Sequence, residues 1–172
     1  LNLNDMEYDR TDYGNWIDKD GDCQDTRAEL LISTSKVEVK FQSQEKCLVV
    51  GGKWNDPYSG KTFKDASDLH IDHVVPRKAA HDYRAKNWSE KRRESFANDQ
   101  LNLLPVWDQK KKKKGAKAPN EWMPPNKKFA CEYLKRWHQV RQKYELKMPS
   151  REMASIKREV NCQKSDNEKA NR

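Results

Sequence analysis

The spacing of apolar residues along the chain predicts short strands in four places. Residues 37–41 and 47–50 are rich in β-branched residues, which is typical of strands. Residues 69–75 and 101–106 form two further apolar runs, and Pro76 ends the first of them. Turns are predicted at Gly51-Gly52 and over residues 55–61.

Helical spacing predicts the remaining elements. The longest stretch covers residues 129–144, where aromatic and apolar residues recur on one face. Shorter helices are predicted over residues 26–33, after a Ser89 cap, from an Asp108 cap to Gly115, and after Ser150. The apolar face of the last helix would carry Met153, Ile156 and Val160. Mixed helices and strands of this kind predict an α+β fold.

Composition indicates one basic domain with a thin core. The chain has 172 residues, 35 Lys and Arg against 27 Asp and Glu, and a net charge of +8. Six Trp and six Tyr supply much of the apolar area that can be buried. Because no apolar run is long enough to span a bilayer, a membrane protein is not expected. The positive charge favours polyanionic partners such as nucleic acid.

Four cysteines favour a pair of disulfides. No C-x-x-C pair is present, so a structural zinc site is not expected. Three pairings are possible, and Cys23–Cys47 with Cys131–Cys162 is preferred because each joins neighbours in sequence. The alternative is four free thiols in a cytoplasmic protein. Disulfides instead predict a secreted or periplasmic chain, mature after signal removal.

The most informative string is LHIDHVVP, residues 69–76. Asp72 offers the hard oxygen that Mg²⁺ prefers, and His73 could deprotonate water near neutral pH. His70 precedes Asp72 by two residues, so both side chains project from the same strand face. The alternative is a purely structural Asp–His pair.

The acidic string DKDGDC is a second candidate site. Asp18, Asp20 and Asp22 alternate as in a calcium loop, but the glycine and glutamate of an EF-hand are missing from their places. An acidic turn beside Cys23 is therefore the preferred prediction.

The order of these strings resembles a known nuclease family. IDHVVP is followed by ANDQLNLL and then by K-G and P-x-x-W-x-P-P. This set resembles the secreted bacterial HNH (ββα-metal) endonucleases related to the C-terminal domains of GmrSD-type restriction enzymes. The resemblance covers about residues 8–162. It implies an α+β fold with a ββα-metal core at about residues 69–115, additional helices and disulfide staples, in one domain over residues 1–162. A disordered tail is predicted at residues 163–172.

The resemblance implies metal-dependent endonuclease activity. Asp72 would coordinate one divalent metal, most simply Mg²⁺ with Mn²⁺, Ca²⁺ or Zn²⁺ as alternatives, and His73 would be the general base. Hydrolysis would leave 5′-phosphate and 3′-hydroxyl ends. The substrate would be DNA, with RNA as a further candidate, held through its phosphate backbone by a monomer that binds no membrane.

One position departs from the family pattern. The second metal ligand, Asn or His, would stand four residues before Gly115, where this chain has Lys111. A protonated lysine has no lone pair for a metal. Gln109 or Asp108 could ligate instead, or His70, and these substitutes are preferred. Otherwise the ammonium of Lys111 replaces part of the metal's charge, or the chain binds nucleic acid with weakened catalysis.

Supporting roles are also implied. Asn102 would brace the loop after the motif, and Arg77 could bind the scissile phosphate, although a solvated surface arginine is equally expected. Consecutive lysines on the short helix would lie along the nucleic-acid backbone, although such runs are usually only solvated. The predicted nucleic-acid contacts are Arg77, Lys110, Lys111, Lys112, Lys113 and Lys114.

Overall fold

A computed structural model describes residues 7–83 and 85–159 of the chain, and in them the fold is a mixture of α-helices and β-strands. The strands are β1 (Lys40–Phe41), β2 (Val49–Asn55), β3 (Thr62–Asp65), β4 (Leu69–His73) and β5 (Leu103–Trp107). The helices are α1 (Thr26–Thr34), α2 (Arg77–Asp82), α3 (Glu90–Ala97), α4 (Asp108–Lys114), α5 (Lys127–Lys143) and α6 (Ser150–Glu159). No described helix is long and apolar enough to cross a membrane.

The first sheet is antiparallel, in the order β1-β2-β3. Its middle strand passes through Gly51 and Gly52, where a turn was predicted, so that prediction is wrong. A Cβ atom on Gly52 would lie 2.7 Å from both Ser35 Oγ and the Trp54 ring, which explains the glycine by close packing inside a strand. The strand predicted over residues 37–41 is shorter in the structure, where only Lys40–Phe41 form β1.

The second sheet pairs β4 with β5, also antiparallel, with Asp72 opposite Leu104 and His73 opposite Leu103. The predicted second strand begins two residues late, because Gln100–Asn102 form a 3₁₀ turn. Helix α4 follows β5 directly and packs against both strands.

Helix ends agree with the sequence in part. Gly115 ends α4 with a φ of 55°, which favours glycine, as predicted. Asp108 is the first residue of α4 and not its cap, because Trp107 is the last extended residue. Ser89 caps α3 as predicted, whereas Ser150 lies inside α6. Helix α2 was not predicted from the sequence.

Two apolar clusters form the core. The larger contains the buried stripe of α5 and Ile156 of α6. The smaller joins α1 to the sheets through Leu31, Trp54 and Ile71. Val160 of the predicted apolar face lies outside the described residues.

The cysteine predictions are confirmed as far as the described residues reach. Cys23 and Cys47 form a disulfide. Cys131 is also disulfide-bonded, and its predicted partner Cys162 lies outside the described residues, as does the predicted tail at residues 163–172.

Candidate active site

Asp72 lies near the end of β4, with only 4% of its surface exposed. Its Oδ2 atom accepts a hydrogen bond from the Tyr58 hydroxyl at 2.6 Å. The same oxygen pairs with Lys114 Nζ at 3.0 Å. The carboxylate charge is therefore already compensated within the protein.

Lys114 joins the end of α4 to β4. Its side chain is completely buried, and Nζ also donates a hydrogen bond to the His73 carbonyl oxygen at 2.7 Å. Burial lowers the pKa of Lys114, and the neighbouring Asp72 carboxylate opposes that shift. Such burial prevents Lys114 from contacting a nucleic acid, so its predicted binding role is wrong.

The His73 imidazole is clamped between aromatic rings. It stacks on Trp16, with ring centroids 5.6 Å apart, and on Phe96 at 6.3 Å. Its Nε2 atom lies 2.9 Å from the Ala97 carbonyl oxygen. Because a carbonyl can only accept, Nε2 carries the hydrogen and Nδ1 keeps a lone pair. That tautomer is the one a general base at Nδ1 requires.

His73 is neutral over the physiological pH range. Burial, followed by the positive charge of Arg77, lowers its pKa from an ordinary value of 6.5 to about 3. The hydrogen bond to Ala97 opposes this shift and does not overcome it.

The depressed pKa predicts a loss of stability in acid. Below pH 6.5 the unfolded chain protonates this imidazole while the folded protein does not, so unfolding takes up a proton. The free energy of unfolding should fall by up to ~1.4 kcal/mol per pH unit from this group between pH 6.5 and about 3. Urea unfolding at several pH values should show a smaller decrease in unfolding free energy per pH unit for His73→Gln than for the wild type. Equal slopes for both proteins would contradict the prediction.

The Asp72 and His73 side chains have different neighbours. They are consecutive on a strand, so they project to opposite faces. Asp72 meets Tyr58 and Lys114, whereas the His73 ring meets aromatic residues. Only 6% of His73 is exposed. The structure therefore does not place the Asp72 and His73 side chains next to each other in one open site.

A pocket of about 240 Å³ is lined by Arg10 and Arg77, together with Trp16 and Ala97, which both contact the His73 imidazole. His73 itself is not one of the residues that line it. Burial is the main cause of a lowered pKa for Arg77, and the charge of Arg10 adds to it. Two guanidinium groups at one pocket form a site suited to phosphate.

Lys111 places a third cation beside this pair. Its Nζ donates to the Ile71 carbonyl oxygen at 3.0 Å. Burial lowers its pKa, and the charges of Arg10 and Arg77 add to that effect, whereas the Asp72 carboxylate opposes it.

Two of the three substitute metal ligands, His70 and Asp108, are paired with other side chains. His70 is half exposed, and its Nε2 lies 3.3 Å from Asp108 Oδ1. Asp108 Oδ2 is paired with Lys112 at 2.6 Å, and Gln109 is exposed.

The residues around Asp72 do not fit a resident divalent metal, because Asp72 Oδ2 is paired with Lys114 and the candidates His70 and Asp108 are paired with each other. In residues 7–83 and 85–159, three or more His, Cys, Asp or Glu ligand atoms come within 4.8 Å of one another at Asp18, Asp20 and Asp22. The Asp18 carboxylate accepts hydrogen bonds from the backbone of Gly21 and Cys23, which gives an acidic turn.

Asn102 is buried and joins the motif to the second strand. Its side-chain amide accepts from the Val75 N–H at 2.7 Å and donates to the Val75 carbonyl at 3.0 Å. Its own carbonyl accepts from the Val74 N–H. These bonds fix the chain leaving β4, where Pro76 and Arg77 follow.

The remaining lysines of α4 lie at the surface. Lys112 and Lys113 are exposed, and Lys110 lies 5.9 Å from the Trp107 ring centroid. Sequence reasoning missed Arg10, Trp16 and Tyr58 as site residues. Two further strings that fit the same resemblance were available as signals for Arg10 and Tyr58, namely YDR at residues 8–10 and W-N-D-P-Y-S-G at residues 54–60; neither contains Trp16.

The candidate site is built from the β4-β5 strand pair, which carries Asp72 and His73, and from the basic helix α4 that follows it. The chain belongs to the family described as GmrSD restriction endonucleases, C-terminal domain, whose model matches residues 24–156. It is 34% identical over 151 residues to an uncharacterized secreted protein of the fungus Arthroderma benhamiae, covering 87% of this chain and 72% of that one. No solved structure matches the chain significantly. The family membership indicates a nuclease-type function that acts on nucleic acid.

Proposed function

We propose that the protein is an endonuclease that hydrolyses phosphodiester bonds of DNA, with RNA as a further substrate, at the pocket lined by Arg10, Arg77 and two neighbours of His73. The observation that carries this proposal is the His73 tautomer, which leaves Nδ1 with a lone pair, together with the two arginines that line this pocket beside Trp16 and Ala97. The match to restriction endonuclease C-terminal domains supports it. The β4-β5-α4 unit supports assignment to the HNH, or ββα-metal, class.

The chemistry would begin with a water molecule that reaches Nδ1 through the pocket. His73 takes its proton as the water oxygen attacks phosphorus, and the P–O3′ bond breaks. Solvent protonates the leaving oxygen and accepts the proton from the imidazolium. The products carry 5′-phosphate and 3′-hydroxyl ends. Arg10 and Arg77 would hold the non-bridging oxygens and stabilise the charge that develops on them.

A nicking assay tests the function. Supercoiled plasmid would be incubated with the purified protein in Mg²⁺, in Mn²⁺ and in EDTA. Nicking by the wild type under any of these conditions and not by His73→Gln supports the proposal. A DNA mobility shift with no nicking by either protein would favour the alternative, a nucleic-acid-binding protein with weakened catalysis, which Lys111 motivates. Neither nicking nor a shift at about 50 mM salt would indicate a basic structural protein.

The arginine role predicts a change in salt dependence. Replacing Arg77 by alanine should weaken DNA binding and reduce the slope of log K against log salt by about one. The control is Lys78→Ala, since Lys78 is exposed and paired with Asp82 at 3.0 Å. Fluorescence anisotropy with a labelled duplex at several salt concentrations measures both slopes. Equal slopes for the Arg77 variant and the wild type would remove Arg77 from the phosphate site.

We also propose that the protein is secreted and acts as a monomer. The name of the Arthroderma relative and the Cys23–Cys47 disulfide support an oxidising location. Fractionation of the source culture, and light scattering on the purified chain, test these two points.

A further inference from the structure

We propose that phosphodiester cleavage at this site needs no divalent metal, because the ammonium group of Lys111 supplies the positive charge at the scissile phosphate. This inference rests on the proposed nuclease function and goes beyond it. It concerns the residue that differs from the metal ligand expected from the sequence.

The first argument is that the Asp72 carboxylate already has a cationic partner. Its Oδ2 atom holds both the Tyr58 hydroxyl and the Lys114 ammonium. A metal on this oxygen would have to displace Lys114, whose side chain is fully buried and also bonded to the His73 carbonyl. Displacing it would leave a buried positive charge without its partner, which is strongly unfavourable.

The second argument is the sign of the local charge. The charges of Arg10 and Arg77 both lower the pKa of Lys111, and Arg10 also lowers that of Arg77, so the three cations lie near one another. The Asp72 carboxylate, whose charge also acts on Arg77 and Lys111, is paired with Lys114. A group of three cations repels a divalent cation and attracts a phosphate. The same field stabilises the extra negative charge that a phosphodiester gains as water attacks it.

The third argument is the position of the Lys111 ammonium. Its bond to the Ile71 carbonyl, one residue before Asp72, fixes Nζ against the end of β4. An ammonium has three N–H donors, so two others can be directed at a phosphate oxygen. It cannot ligate a metal, because it has no lone pair.

The reaction balances with groups of this chain and solvent. Water loses one proton to Nδ1 of His73 as the new P–O bond forms. The P–O3′ bond breaks, and the 3′ oxygen takes a proton from solvent. Lys111 keeps all its protons and contributes charge and hydrogen bonds to a non-bridging oxygen. No oxidant, reductant or metal enters the balance.

The experiment compares nicking by metal-depleted wild-type protein in excess EDTA with nicking in Mg²⁺ or Mn²⁺. We expect similar rates in all three. In EDTA, Lys111→Met should nick about 100-fold or more slowly, the scale of losing one oxyanion donor, whereas Lys111→Arg should keep part of the activity. The matched control is Lys117→Ala, an exposed lysine just beyond α4. Circular dichroism and thermal melting verify that each variant is folded.

A second arm measures metal binding without any reaction. Because Lys114 is paired with Asp72 Oδ2, titration of the wild type with Mn²⁺, followed by electron paramagnetic resonance, should show no site that the Asp72→Asn variant lacks. Comparing the two proteins separates binding at Asp72 from weak binding at the Asp18 turn.

The outcomes separate this inference from the proposed function. Wild-type nicking that EDTA abolishes and Mg²⁺ restores would keep the nuclease function and overturn the role of Lys111. Tight Mn²⁺ binding by the wild type that depends on Asp72 would overturn it as well. A wild type that nicks under no condition would overturn the nuclease function and this inference together.

Discussion

The His73→Gln variant is expected to nick plasmid DNA about 100- to 10,000-fold more slowly than the wild type, which is the usual contribution of a general base. Glutamine can still donate its amide N–H to the Ala97 carbonyl, so the hydrogen bond that fixes the wild-type ring has a replacement. It offers no basic nitrogen at the position of Nδ1. The loss should therefore be in kcat, with little change in KM.

Three measurements make this prediction specific. DNA affinity should stay within about twofold of the wild type, because Arg10 and Arg77 are unchanged and charged groups dominate backbone binding. His138→Gln, on α5, is the control for removing an imidazole elsewhere. Near-ultraviolet circular dichroism should retain the signal of Trp16, whose ring stacks on residue 73. If His73→Gln keeps most of the wild-type rate, His73 is not the base.

The Lys114→Met variant is expected to lose about 3–5 kcal/mol of unfolding free energy, as when one partner of a buried ion pair is removed. Methionine fills similar space but leaves the buried Asp72 carboxylate without its Lys114 partner, while the Tyr58 hydroxyl still donates to it. The His73 carbonyl also loses its donor. Urea unfolding followed by tryptophan fluorescence measures the change.

A double variant tests the cause of this loss. Asp72→Asn with Lys114→Met removes both charges and should recover part of the stability. The matched control is Lys112→Met, whose partner Asp108 is a surface group, so the change should stay below about 1 kcal/mol. If the loss of unfolding free energy in the double variant equals the sum of the losses in the two single variants, the Asp72 and Lys114 charges do not interact.

The Cys23–Cys47 pairing, the longest helix and the Asp-His strand were all predictable from the sequence alone. Local rules were enough, because the aromatic stripe from Phe129 onward follows the helical period and neighbouring cysteines close a short loop. The prediction of a turn at Gly51-Gly52 was wrong because local rules were not enough there. A Gly-Gly dipeptide occurs both in turns and where packed groups approach the backbone closely, and only the positions of Ser35 and Trp54 distinguish the two cases.

The strings that resemble the nuclease family predicted where the candidate site lies, and the tertiary structure decided how its residues are arranged. The five lysines at positions 110–114 cannot be distinguished from one another by the sequence. Packing of α4 on β4 buries Lys114 against Asp72, directs Lys111 to the Ile71 carbonyl and leaves Lys112 and Lys113 exposed. Arg10 and Tyr58 reach the site from segments distant in the chain, and charge interactions depend on distance in space, which no local pattern encodes.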